Sequence, residues 1–215
     1  KRMDEKSVTK ALTELRKIIK KRKFSQTIDL IVAFKDIDMA KVPKLEQYVR
    51  LPSGLGKDVK ICALVGNESE EGAKDADRVI LSSNFDKFKK KKDIKKLARE
   101  YDYFVAQADM MPKIAQIFGR YFGPINRMPS PKAGCVVPPR TNITNLIGRL
   151  RNTVRLVANK IPMYQVPVGI ETQNDAELTK NILTVMNSVE NSLPNGRNNI
   201  GKIYIKSTMS KTVRV

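Results

Sequence analysis

The sequence predicts a two-domain α+β / α/β protein: an α+β domain assembled from both chain ends, 1–56 with 156–215, and a parallel-sheet α/β domain inserted between them at 57–155. Three observations predict this. Residues 1–56 supply at most one helix and two strands, too few to close a core. The carboxyl-terminal stretch supplies a complementary β, α, β, β set. Between them short apolar strands alternate with helices in βαβαβα order, the pattern of a parallel sheet covered by helices.

Taken in order, Val8, Leu12, Leu15, Ile18 and Ile19 recur at helical spacing and predict an amphipathic helix over 4–22, whose cationic last turn suits the negative end of the helix dipole. Ile28, Leu30, Val32 and Phe34 alternate with Thr27, Asp29, Ile31 and Ala33, a strand whose far face is also partly apolar. Residues 50–57, Arg-Leu-Pro-Ser-Gly-Leu-Gly-Lys, read as a turn. They fail as a phosphate loop, because the required first glycine falls on Leu51 or earlier and Asp58 stands where Ser or Thr must follow the lysine. The middle of the chain offers strands at 59–65, 78–81 and 102–107 and helices at 68–76, 84–100, 111–120 and 142–156. No GxGxxG follows the first of these strands, which argues against a dinucleotide site. Gly123-Pro124, Pro129, Pro131, Gly134, Pro138 and Pro139 make 121–140 a long ordered loop. Residues 163–169 suit a strand near a sheet edge, given Pro167. Asn174 or Asp175 caps a helix with the apolar stripe Leu178, Ile182, Val185, Met186 and Val189, and Pro194-Asn195-Gly196 turns into final strands through Val213.

Charge narrows the function. The 215 residues carry 41 Lys+Arg against 22 Asp+Glu, a formal net charge of +19. Ten basic and three acidic groups lie in 1–23, ending in Lys20, Lys21, Arg22 and Lys23, and eight basic groups accompany Asp93 in 87–99. Between Asp109 and Glu171 there is no carboxylate at all, and the last nineteen residues are also free of acids. Surfaces of soluble proteins normally mix signs, so these asymmetries point to a polyanion, with counterion release driving association. A membrane surface would need bulky apolar residues on a basic amphipathic helix, and the first helix has only an ordinary core stripe. No apolar run reaches the length of a membrane span, and the amino terminus offers no apolar signal core. Nucleic acid is the preferred partner class.

The chemistry available is sparse. With no His there is no Ser-His or Cys-His pair, no imidazole shuttle and no His-ligated metal. Trp is absent and aromatics are 6%, leaving few platforms for base stacking. Cys62 and Cys135 stand singly in apolar surroundings and read as buried free thiols in a reducing cytosol. Asp36 and Asp38 look like turn carboxylates, and Glu68, Glu70 and Glu71 like an acidic helix start, so no catalytic residue, metal or cofactor is expected. The rival reading is an α/β enzyme acting on a nucleotide or phosphorylated substrate, with the basic stretch steering it. A pure protein-interaction scaffold would bind without salt dependence.

Five ordered blocks carry a resemblance: Lys23-Phe24-Ser25-Gln26-Thr27, Arg50-Leu51-Pro52-Ser53-Gly54-Leu55-Gly56-Lys57, Gly123-Pro124 with Met128-Pro129-Ser130-Pro131-Lys132-Ala133-Gly134, Val166-Pro167-Val168-Gly169, and Ser207-Thr208-Met209. On these the chain resembles the ribosomal protein L-one family over essentially its whole length, with archaeal-like residue usage. The resemblance implies a split first domain, an inserted Rossmann-like domain and a hinge near 55–58 and 154–158. It implies a non-enzymatic, cytoplasmic protein of the ribosome, monomeric when free and off the membrane. That protein binds large-subunit rRNA at the mobile stalk beside the tRNA exit site, assists release of deacylated exit-site tRNA and represses its own mRNA. Carried onto matching positions, the RNA surface includes Lys23, Phe24, Thr27, Thr208, Met209 and Ser210, with Asn159, Lys160 and Lys202 where the family places further contacts. Two departures stand out. Ser210 replaces the family glycine after Thr-Met, so it should crowd the RNA or adopt a compensating conformation, and Ile125-Asn126-Arg127 replaces an Arg-Gly pair. Without the resemblance, Phe24 would read as a core residue closing the helix–strand turn, and Met209 equally as core or surface.

Overall fold

The computed structural model describes residues 4–37, 45–88, 90–158 and 161–215. The chain divides into two compact units, 1–57 with 152–215 and 58–151.

The first unit begins with α1 (Glu5–Ile18), which buries Val8, Ala11, Leu12 and Leu15, and the chain turns extended at Ile19. The helix is shorter than the expected 4–22. Beyond Ile19 come four consecutive cations and no further core residue, so extending the helix would add charge repulsion without burial. β1 (Thr27–Phe34) alternates half-buried and buried positions along its whole length. It is the inner strand of an antiparallel sheet completed by β8 (Met163–Ile170) on one side and β9 (Ile200–Ser207) and β10 (Val213–Arg214) on the other, in the order β10-β9-β1-β8. Pro167 thus lies on an edge strand, where its missing N–H costs no ladder bond. α1 and α5 (Asp175–Ser192) pack on the face that carries Ile28, Leu30, Val32, Val166, Val168 and Ile205, all essentially inaccessible. The Asn174 backbone N–H donates to Glu177 Oε2 at 3.3 Å at the start of α5. Tyr164 closes one end of this core edge-on to Phe34, with ring centres 4.9 Å apart.

A second, two-stranded sheet pairs β2 (Leu45–Arg50) with β7 (Thr153–Ala158). Residues 152–155, expected in the insertion and in its last helix over 142–156, therefore pair within the first unit. Thr153-Val154-Arg155-Leu156-Val157 alternates with period two, and the helix before it ends at Arg151. The following turn is held from α5. Asn181, fully buried, accepts the Ser53 N–H at 3.1 Å and donates to the Gly54 and Val168 carbonyls at 2.9 and 2.8 Å. Gly54 and Gly56 both adopt positive φ there, 68° and 72°, which explains the glycines of this block.

The second unit is a parallel sheet of β3 (Ile61–Val65), β4 (Arg78–Leu81), β5 (Tyr103–Gln107) and β6 (Val136–Val137), in the order β4-β3-β5-β6. β3 is buried at every position, as an inner parallel strand covered on both faces should be. α2 (Lys91–Glu100), α3 (Met111–Phe122) and α4 (Thr144–Arg151) accompany it. A core of Leu64, Ile80, Phe85, Ile94, Leu97, Phe104, Ile114, Phe118 and Phe122 joins α2, α3 and the sheet, with the Phe104 and Phe122 rings 4.3 Å apart. The fold class is as expected, but two helices are not. Residues 68–76 form two short 3-10 turns, because the Gly72 carbonyl accepts the Ile143 N–H at 3.1 Å and a longer helix would break that tie. The start of 84–100 is a 3-10 turn over Ser82–Lys87 that drives Phe85 into the core, and the α-helix proper begins at Lys91. Both cysteines are buried and free, and burial pushes their thiols up, Cys62 to about 12 and Cys135 to about 11.

Candidate nucleic-acid interface

Of the residues singled out in the sequence, Lys23, Phe24, Thr27, Thr208, Met209 and Ser210 lie at one end of the first unit, where the link from α1 to β1 meets the turn after β9. Thr208 sits beside Thr27. Its N–H donates to the Thr27 carbonyl at 3.0 Å, its hydroxyl donates to the same carbonyl at 3.3 Å, and its Oγ1 accepts the Thr27 N–H at 3.1 Å. A single side chain thereby extends the β1–β9 ladder by one rung.

Gln26 organises the rest. It occupies the buried phase of the β1 alternation, yet it is polar and 1% exposed. Its Oε1 accepts the Ser207 hydroxyl at 2.9 Å and the Met209 N–H at 3.3 Å, while its Nε2 donates to the Lys20 carbonyl at 3.0 Å and to Glu171 Oε2 at 3.2 Å. One amide thus ties together the start of the Lys20–Lys23 run, the residue after β8 and the 207–210 turn, with donors and acceptor all engaged. Sequence reasoning passed over Gln26 and Ser207. The available signal was a glutamine in phase with Ile28, Leu30 and Val32, where an apolar residue belongs.

Ser210 closes the turn. Its N–H donates to the Ser207 carbonyl at 3.2 Å, its Oγ accepts the Ser207 N–H at 2.9 Å, and its hydroxyl reaches the Lys211 carbonyl at 2.9 Å. It is not among the positive-φ residues. The serine compensates by bonding its hydroxyl to the turn's own backbone instead of adopting a glycine conformation.

With the backbone so fixed, two large apolar side chains remain in water: Phe24 is 52% exposed and Met209 is 60% exposed. Neither is the core residue that its type would suggest. Lys20, Lys21, Arg22 and Lys23 are all exposed, as are Lys211 and Thr208. Arg16 is committed elsewhere: it pairs with Asp175 at 2.5 Å and donates to the Glu171 and Gln173 carbonyls at 3.0 and 2.6 Å, which anchors the end of α1. The site therefore presents apolar tips, free ammonium groups and a rigid turn, a combination suited to ribose, base faces and phosphates.

Lys202 is not brought to this turn. It is exposed on β9, six residues before Thr208, which separates it by about 20 Å of strand. It shares the face of Tyr204 and Lys206, opposite the buried Ile205 and Ser207. Asn159 and Lys160 lie outside the described residues, as do Asp38 and Lys89. Of the substituted loop, Asn126 is left-handed at φ 56°, and Arg127 is held by the Asp102 carbonyl and by Asp102 Oδ1 at 3.3 Å, so it braces its own unit. Among the described residues no cluster of His, Cys, Asp or Glu could hold a metal ion, and no helix is long and apolar enough to cross a membrane.

Comparison with known proteins identifies the family. The model of the ribosomal protein L1p/L10e family matches residues 15–211. A large ribosomal subunit protein uL1 of Nanoarchaeum equitans is 40% identical over 200 residues, covering 91% of this chain and 93% of its own. The protein of the same name from Pyrococcus horikoshii is 38% identical over 216 residues, covering 99% and 96%. That of Methanothermobacter thermautotrophicus is 36% identical over 212 residues, covering 97% and 98%.

Proposed function

The chain belongs to the ribosomal protein L1p/L10e family, and on that premise we propose that it holds the large-subunit rRNA of the mobile stalk through the turn at 207–210 and the α1–β1 link. It is a structural, non-enzymatic constituent of the large ribosomal subunit, with archaeal relatives. The observation that carries the interface is the exposure of Phe24 and Met209 beside a backbone locked by Gln26. An apolar pair costs free energy in water and serves no internal packing, so its use lies in a partner. Thr27, Thr208 and Ser210 supply the rigid polar frame. Lys23 supplies charge, and Lys202, farther along β9, adds a phosphate contact.

The same surface takes a copy of the rRNA site in the protein's own mRNA and so represses translation, since any RNA of matching shape competes for one turn. The basic second unit attracts exit-site tRNA and assists its release, since charge without a fixed polar frame favours transient contact.

The test is a titration of a stalk rRNA fragment with Thr208→Ala over a range of salt concentrations. The affinity should fall about tenfold at every concentration with an unchanged salt slope, because the hydroxyl frames the turn without neutralising a phosphate. Equal affinity for the variant and the parent would remove the turn from the interface.

A further inference from the structure

We propose that the second unit carries a nucleoside-binding pocket at the carboxyl ends of β3 and β5. The chain passes from β3 to β4 on one side and then crosses to β5 on the other, so the crevice beyond β3 and β5 is the switch point at which open parallel sheets receive ligands. A cavity of about 580 Å³ opens there, lined by Gly66 directly after β3 and Gln107 at the end of β5, with Glu68, Asp109 and Arg140 around it.

The observation that points to a ligand is Gln107. It is 4% exposed, and its Oε1 accepts the Gly66 N–H at 2.8 Å. That bond fixes which end of the amide is oxygen and turns its Nε2 into the cavity, where it has no partner among the described residues. Solvent in the cavity reaches this Nε2, so it is a fixed donor that a ligand acceptor would engage in place of water. A Cβ at Gly66 would stand 3.0 Å from Gln107 Oε1, so glycine is what lets backbone and amide meet. On the opposite wall Arg140 is a non-glycine residue at φ 59°, held there by its N–H on Ser69 Oγ at 3.0 Å and by its Nε on Glu68 Oε2 at 3.1 Å. Left-handed backbone of this kind recurs at ligand sites.

The lining selects the ligand class. Gln107 Nε2 asks for a ring acceptor, Met110 and Pro139 offer apolar contact to a flat body, and the exposed Asp109 carboxylate asks for a hydroxyl donor. Arg140 is already paired with Glu68, which leaves room for one phosphate but not several. The Gly66-Asn67-Glu68-Ser69 turn places a carboxylate where polyphosphates would need backbone amides. A nucleoside with a free ribose 2′-hydroxyl and one 5′-phosphate fits, either as a free mononucleotide or as an unstacked residue of an RNA strand.

The experiment titrates the full ¹⁵N-labelled chain with the 5′-monophosphates of adenosine, guanosine, cytidine and uridine, with 2′-deoxyadenosine 5′-monophosphate, and with a single-stranded ribotetranucleotide. The Gly66 N–H and Gln107 side-chain NH₂ resonances should shift saturably with at least one ribonucleotide. The deoxynucleotide should bind about tenfold more weakly, for want of the hydroxyl given to Asp109. Tighter binding of the tetranucleotide than of its monomers identifies an RNA strand as the source, and weaker binding identifies a free nucleotide. Asp109→Asn, at an exposed position that cannot unfold the chain, should lose the preference for the ribonucleotide. Gln107→Glu, which keeps the acceptor for Gly66, should abolish the shifts. Absence of any shift, or equal shifts in both variants, overturns the pocket. Asp109→Asn should leave affinity for the stalk rRNA fragment unchanged, so failure here is separable from failure of the interface on the first unit.

Discussion

Met209 and Gln26, 183 positions apart in sequence, are joined by a hydrogen bond from the Met209 backbone N–H to the Gln26 side-chain oxygen at 3.3 Å. The same oxygen holds the Ser207 hydroxyl, so the turn that exposes the methionine is shaped from beneath by a residue sealed from solvent. The surface chemistry of this end of the molecule is thus set by a buried amide.

Gln26→Ala should therefore weaken RNA binding without removing an exposed group. It strands the Ser207 hydroxyl, the Met209 N–H and the Lys20 carbonyl. A loss of about 1–3 kcal/mol of stability is expected by denaturant titration, together with a fall in rRNA affinity of about tenfold. Full retention of affinity in a destabilised variant would show that the turn keeps its shape without the amide.

Asn181→Ala should be among the most damaging single changes in the first unit. It removes one acceptor and two donors from a fully buried site, taking the partner of the Ser53 N–H and one donor each from the Gly54 and Val168 carbonyls, so a cost of about 3 kcal/mol is expected in urea unfolding. Asn181→Asp keeps the acceptor for Ser53 but loses both donors, and should be nearly as harmful.

The thiols make an alkaline prediction with a definite sign. Burial raises Cys62 from 9.0 to about 12, so its native form stays neutral where the unfolded thiol ionises. The stability that this group contributes is fully present below pH 9 and is lost as pH rises from 9 towards 12, by about 1.4 kcal/mol per pH unit. Cys62→Ala should flatten the stability profile over that range. At pH 8 the native chain should react with a thiol reagent only at its rate of opening, and the urea-unfolded chain at once.

Lys202 provides a contrast with the turn. Exposed on β9 and distant from Thr208, it should act as a phosphate contact, so Lys202→Ala is expected to lower RNA affinity two- to threefold and reduce the salt slope by about one. An effect as large as that of Thr208→Ala would mean that Lys202 reads structure and not charge.

What the sequence made legible followed periodicity. The alternation of Ile28, Leu30, Val32 and Phe34 located β1 to the residue, and the apolar run expected as a strand over 59–65 holds the inner parallel strand, which begins two residues later at Ile61. Helices were overextended where a tertiary contact ended them: Gly72 tied to Ile143, Phe85 drawn into the core, and Thr153–Ala158 claimed by β2. β2, the second strand allowed for in 1–56, could not be placed, because its Leu45-Glu46-Gln47-Tyr48 lacks a clear two-residue rhythm. At the candidate site the motif residues were visible by resemblance, whereas side-chain type alone pointed Phe24 into the core. Their exposure depends on Gln26, which bonds across three segments that only the fold brings together.

The proposed interface rests on the rigid turn at 207–210 and its exposed apolar tip binding stalk rRNA. It is tested most directly by measuring the dissociation constant of Met209→Asp for a stalk rRNA fragment, with circular dichroism to confirm an unchanged fold. Met209 is 60% exposed, so the substitution should leave stability within about 0.5 kcal/mol while placing a carboxylate against phosphates and removing the apolar contact. Affinity at least about thirtyfold weaker than that of the parent chain, at a salt concentration near physiological, is the predicted result. A folded variant that binds the fragment within about twofold of the parent would remove this turn from the RNA interface.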